Sequence, residues 1–149
     1  MHRSASFILM FVVTVLTVAS GVSAPWASAE EPVASTVADG VVAFYFHGNV
    51  RCATCKKIEA YADEAIAQGF VDELESGRLT WRVVNIDESA NKHFIEDFQL
   101  VTRSVVLVEY RDGKVLRWEN LDKVWQLVRS KDNFVSYVEG ETSEFLGTS

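Results

Sequence analysis

Cysteine is scarce in this chain: only Cys52 and Cys55 among 149 residues. A single pair three positions apart closes too small a loop to staple a domain, so it adds little as scaffold. Proline is equally scarce, at Pro25 and Pro32 only. Positive charge is short as well, with 14 Lys and Arg against 21 Asp and Glu, a formal charge of −7 and no basic run. No nucleic-acid partner is therefore expected, because phosphate contacts need clustered Lys and Arg. Gly48 stands alone where a phosphate-binding loop would need several glycines, so no nucleotide cofactor is expected. There is no HExxH motif, no second CxxC, no local pair of catalytic carboxylates, no internal repeat and no low-complexity tract.

The first residues read as an export signal. Arg3 precedes an apolar stretch from Phe7 to Val18, and small residues follow. Ala27-Ser28-Ala29 has the small-x-small pattern of a cleavage site, which predicts a mature chain starting at Glu30. The apolar core is short for a span of ~20 residues, although an uncleaved anchor is the competing reading. With residues 1–29 removed, 120 of the 149 remain, carrying 13 Lys and Arg against 21 Asp and Glu, a formal charge of −8. The expected location is periplasmic or secreted, with no stable membrane insertion once the signal is cleaved. The remaining chain is divided into a flexible lead-in (30–39), one domain (40–139) and a C-terminal tail (140–149).

"VVAFYF" (41–46) is continuously apolar, the mark of a strand covered on both faces. In "CKKIEAYADEAIAQGF", Ile58, Ala62, Ala65, Ile66 and Phe70 fall three or four apart, which predicts an amphipathic helix. Glu59, Asp63 and Glu64 are assigned to its solvated face. "RLTWRVVNID" (78–87) reads as a second internal strand and "ESANKHFIEDFQL" (88–100) as a short helix. "SVVLVEY", the turn "RDG" and "KVLRWEN" read as a hairpin. A last helix starts near Leu121 and continues towards Val138. Alternating strands and helices followed by a hairpin predict an α/β domain: a small mixed sheet with helices on both faces.

The cysteines lie at the carboxyl end of the first strand, where open α/β sheets place their chemistry. At a helix N-terminus, free N–H groups and the helix dipole favour a thiolate on the first cysteine. Arg51, Lys56 and Lys57 add to that if they point towards the sulfur. Cys52 is the predicted nucleophile, and Cys55 can resolve the mixed disulfide.

With this topology and the CxxC in place, residues 40–139 resemble a thioredoxin-like domain. The resemblance implies thiol–disulfide exchange, usually with another protein as redox partner. The longer "FYFHGNVRCATCKKIE" is similar to the exported thioredoxin-like proteins of the ArsF family, subunits of a nitrophenyl-compound nitroreductase, which implies a role beside a reductase. There are departures. The approach to Cys52 is His47-Gly48-Asn49-Val50-Arg51 and carries no tryptophan, the central dipeptide is Ala53-Thr54, and the first strand has no acid to assist the resolving cysteine. The cis-proline that thioredoxins place opposite the dithiol is missing. Thr102, Arg103 or Ser104 must line the site there, with Arg103 the best-aligned residue.

The site residues are thus Cys52, Cys55, Arg51 and Arg103, with neither an organic cofactor nor a resident metal assigned. The leading function is exchange or electron transfer through the dithiol to a dedicated exported protein, which would make the chain a thiol–disulfide oxidoreductase. Two alternatives stay open: a copper or zinc binding or delivery module using the dithiol, and a redox-inert accessory subunit. His47 is read as a loop residue that hydrogen-bonds the turn, and Trp81, Trp118 and Trp125 as packing groups.

Overall fold

The computed structural model describes residues 39–147. The proposed signal, its cleavage site and all but the end of the lead-in lie outside them.

The apolar run becomes β1 (Gly40–His47), and Val41 through Phe46 are all buried. Alternation sends Val41, Ala43 and Tyr45 to one core and Val42, Phe44 and Phe46 to another. The first core is closed by α1 (Ala53–Gly69) and α5 (Lys131–Leu146), through Ile58, Ala62 and Ile66 from one and Phe134, Val138 and Phe145 from the other. The second core is rich in aromatic rings: Phe44, Phe46, Phe94 and Phe98 pack with centroids 5.1–6.3 Å apart, the Phe44–Phe46 and Phe94–Phe98 pairs stacked and the others tilted. Phe94 belongs to α3 (His93–Asp97), so helices do cover both faces of the sheet.

β2 (Leu79–Asn85) runs parallel to β1, from Val41↔Leu79 to His47↔Asn85. β3 (Ser104–Arg111) lies antiparallel on the other side of β1, and β4 (Lys114–Asn120) antiparallel to β3. The sheet order is β2-β1-β3-β4. The β3–β4 connection turns on Asp112 and Gly113, both at positive φ (52° and 71°), as the tightest hairpin turns require. Parallel first and second strands, an antiparallel hairpin and the dithiol at the start of α1 make this a thioredoxin-like fold.

Four expectations are corrected. β2 is an edge strand rather than an internal one, and Val83 is 42% exposed. The single helix expected over 88–100 is a 3-10 turn (Ser89–Asn91) followed by α3, closed by Gln99 at φ 49°. The last helix is broken into α4 (Val124–Leu127) and α5, because Ser130 adopts an extended conformation (φ −125°, ψ 104°). Finally, residues 140–146 are no tail: they complete α5, and Phe145 sits in the first core at 4% exposure. The chain also forms a short α2 (Val71–Glu75) with no counterpart in the expected elements.

Phe145 gives a direct check on that last correction. Its ring packs in the core and lies under the Arg117 guanidinium, 4.1 Å from the ring centroid. Phe145→Ala is expected to cost about 3 kcal/mol of unfolding free energy in urea titrations. A tail residue would leave the midpoint unchanged.

Candidate functional site: a dithiol at the start of α1

The site is built where β1 stops. Cys52 is the N-cap of α1 in an extended conformation (φ −75°, ψ 163°), and its Sγ accepts a hydrogen bond from the Cys55 N–H at 3.0 Å. The two cysteines form a disulfide, with Cα atoms 5.0 Å apart. Cys52 is exposed, whereas Cys55 is 3% exposed, one turn inside the helix. The sulfur of Cys52 therefore occupies the place usually held by a capping oxygen. As a thiolate it would receive the same N–H and the positive end of the helix dipole.

Tyr45 supports the pair from below, and sequence reasoning passed over it. Fully buried on β1, it donates its hydroxyl to the Cys55 carbonyl at 2.8 Å. Burial raises the phenol pKa, while the Arg51 and Arg103 charges pull the other way. Both guanidinium groups thus lie within electrostatic reach of the floor of the site. The available signal was the polar tip of Tyr45 in an otherwise apolar strand, on the face that alternation turns towards α1.

Arg51 directly precedes the Cys52 N-cap. Its guanidinium forms an ion pair with Glu59, two turns into α1, and also reaches His47 Nε2 at 3.5 Å. His47 Nδ1 meets the Gly48 carbonyl at 3.0 Å, which assigns the proton to Nδ1 and the acceptor role to Nε2. Glu59 is consequently not on a fully solvated face: its side chain is 26% exposed and that of Arg51 29%. Lys56 and Lys57 are exposed.

Arg103 sits in the loop facing the dithiol and donates from Nη2 to the Val50 carbonyl at 3.1 Å. Its own carbonyl accepts from Trp125 Nε1 at 2.8 Å, so Trp125 anchors this loop rather than only filling space. Every peptide bond among the described residues is trans. On the other side, the Asp87 carboxylate accepts from the Asn49 N–H at 2.6 Å and crowds Gly48, where an added Cβ would lie 2.8 Å from Oδ2. The loop before Cys52 is thus held by Asp87 and Arg103. Between these holds runs a groove of roughly 160 Å³ lined by Ile86, Leu100 and Val101, among others. Among the described residues, no group of three His, Cys, Asp or Glu side chains is placed to hold a metal ion.

No protein-family model matches the chain, and no curated protein matches it. Among solved structures it aligns with one titled "Structure of a malarial protein", at 16% identity over 55% of this chain and 81% of that one, with a TM-score of 0.37. It also aligns with thioredoxin f2 of Chlamydomonas reinhardtii, at 19% identity over 61% and 78% of the two chains and a TM-score of 0.35. The fold assignment rests on this chain's own strand order and dithiol position.

The Arg103 bridge predicts a local effect. Arg103→Ala removes the donor to Val50, and amide exchange over 49–51 is expected to accelerate up to about fivefold, as for one lost hydrogen bond of ~1 kcal/mol. Unchanged exchange there would show that Asp87 alone holds the loop.

Proposed function

We propose that this chain carries out thiol–disulfide exchange through Cys52 and Cys55, with a dedicated exported protein as its partner. The observation that carries the reading is the asymmetry of the pair: an exposed sulfur at the helix N-cap and a buried one a turn later. In the reducing direction, the Cys52 thiolate attacks one sulfur of a partner disulfide. A Cys52–partner disulfide forms and the partner's other sulfur leaves as thiolate. Cys55 then loses its proton and attacks Cys52 Sγ, releasing the second partner sulfur. Two electrons pass to the partner, two protons end on its thiols, and the chain is left with its Cys52–Cys55 disulfide. The oxidising direction is the reverse.

A protein partner suits the surroundings. Val50 is 74% and Val101 95% exposed, one on each loop beside the sulfur, which offers apolar surface to a docking chain. Export is supported by the leader pattern of residues 1–29, and no helix among the described residues is long and apolar enough to cross a membrane. The likeness of "FYFHGNVRCATCKKIE" to the ArsF family adds the narrower reading that the partner belongs to a reductase. Exchange is the reading preferred over metal delivery because the two sulfurs are joined as a disulfide and differ in exposure, as an attacking and a resolving thiol would.

Replacing Cys55 with serine should trap the partner on Cys52 as a mixed disulfide, identifiable by mass spectrometry from the native compartment. Cys52→Ser should trap nothing. Capture by the Cys52→Ser variant instead would reverse the roles, and capture by neither would sink the exchange reading. The same preparation tests export: a mature chain starting at Glu30 is expected, whereas retention of Met1–Ala29 favours an anchor.

A further inference from the structure

Arg51 is the cation next to the sulfur in sequence, but its charge is engaged by Glu59 and His47. We propose that Glu59 is a positioning residue for the exchange: by holding Arg51 in a half-buried ion pair, it withholds that cation from the Cys52 thiolate and sets the reactivity of Cys52. The inference rests on the reading of Cys52 as nucleophile.

Three observations converge on it. The ion pair ties the residue just before the N-cap to the second turn of α1, so Glu59 decides where the guanidinium lies. Arg51 Nε is buried with no hydrogen-bond partner, so the group keeps an unused donor. Arg51 directly precedes the Cys52 N-cap and its guanidinium also reaches His47 Nε2 at 3.5 Å, so a cation freed from Glu59 starts beside the dithiol. An opposite charge alongside screens a cation's field, whereas a freed cation at ~4–6 Å favours an anion strongly enough to lower its pKa by about one unit or more. A lower Cys52 pKa stabilises the reduced pair as thiolate and makes the disulfide more oxidising. The other ionisable groups around the pair are His47 on β1, Lys56 and Asp63 on α1, Asp87 after β2 and Arg103 before β3.

The test is a double-mutant cycle. Thiolate absorbance against pH reads the Cys52 titration in a Cys55→Ala background, for otherwise unchanged protein, Glu59→Gln, Arg51→Met and the pair of substitutions together. Far-UV circular dichroism checks each fold, and Glu59→Ala stands in should the glutamine variant not fold. With Arg51 present, Glu59→Gln is expected to lower the Cys52 pKa by about 0.5–1 unit. With both cysteines present, it should shift the glutathione equilibrium towards the dithiol by up to about tenfold. With Arg51→Met, the pKa shift should fall below about a third of that size. No shift, an upward shift, or equal shifts in both backgrounds would overturn the proposal, equal shifts meaning that the carboxylate acts directly. If the chain with both cysteines fails to cycle with glutathione at all, the exchange reading falls separately, and the titration still decides the role of Glu59.

Discussion

The hydrogen bond from the Cys55 N–H to Cys52 Sγ is the contact on which the site depends. A helix leaves its first N–H groups without partners, and an oxygen side chain normally takes one of them. Here a sulfur does so. A neutral sulfur is a weak acceptor and a thiolate a strong one, so the start of α1 is better capped in the reduced, ionised state than in the disulfide. Helix formation and thiol ionisation thereby favour the same state. The coupling needs the sulfur to stay at the cap, which requires both ends of the connection to be fixed. β1, buried on both faces, fixes one end, and the Ile58–Ala62–Ile66 stripe of α1 fixes the other.

That dependence explains which parts of the fold could be read from sequence. A strand buried on both faces shows no alternation, and "VVAFYF" has none. The hairpin was marked by Asp112-Gly113, where two positive φ values are needed. The start of α1 followed from its three-and-four spacing. The errors fall where the deciding information is non-local. β2 has the composition of an internal strand but only one neighbour, and neighbour count is a property of the sheet. The break at Ser130 lies in the polar run 129–133, but Phe134 falls seven residues after Leu127 and so keeps the same helical phase, which masks the break. Residues 140–146 look polar except for Phe145 and Leu146, yet those positions close the turn of α5 that covers the first core.

The candidate site divides in the same way. Cys52 and Cys55 were legible from spacing and placement alone. Arg51 was legible as a neighbour but not in its direction, because sequence adjacency does not determine where a long side chain goes. Glu59 completes the arrangement from eight positions away, across the cap. It was assigned to solvent because the helical pattern counts charges as outward-facing. A half-buried carboxylate with a half-buried guanidinium satisfies the same pattern while doing something different: it sets an opposite charge against the cation that precedes the sulfur.

The loop facing the dithiol has no proline among Thr102, Arg103 and Ser104. A proline there would fix the backbone covalently. In this chain the loop is held by Arg103 on Val50, by Trp125 on the Arg103 carbonyl and by the Ser104 hydroxyl on the Thr102 carbonyl. Each such bond contributes about 1 kcal/mol net, and the exposed Arg103–Val50 bond faces competition from water. The same guanidinium spans both loops that flank the sulfur, so a docking chain that displaces it would loosen both together. A surface held in this way costs less to rearrange than one locked by a ring. On the proposed reading of a dedicated partner, contacts that replace the Arg103 bridge would be the ones that open this surface.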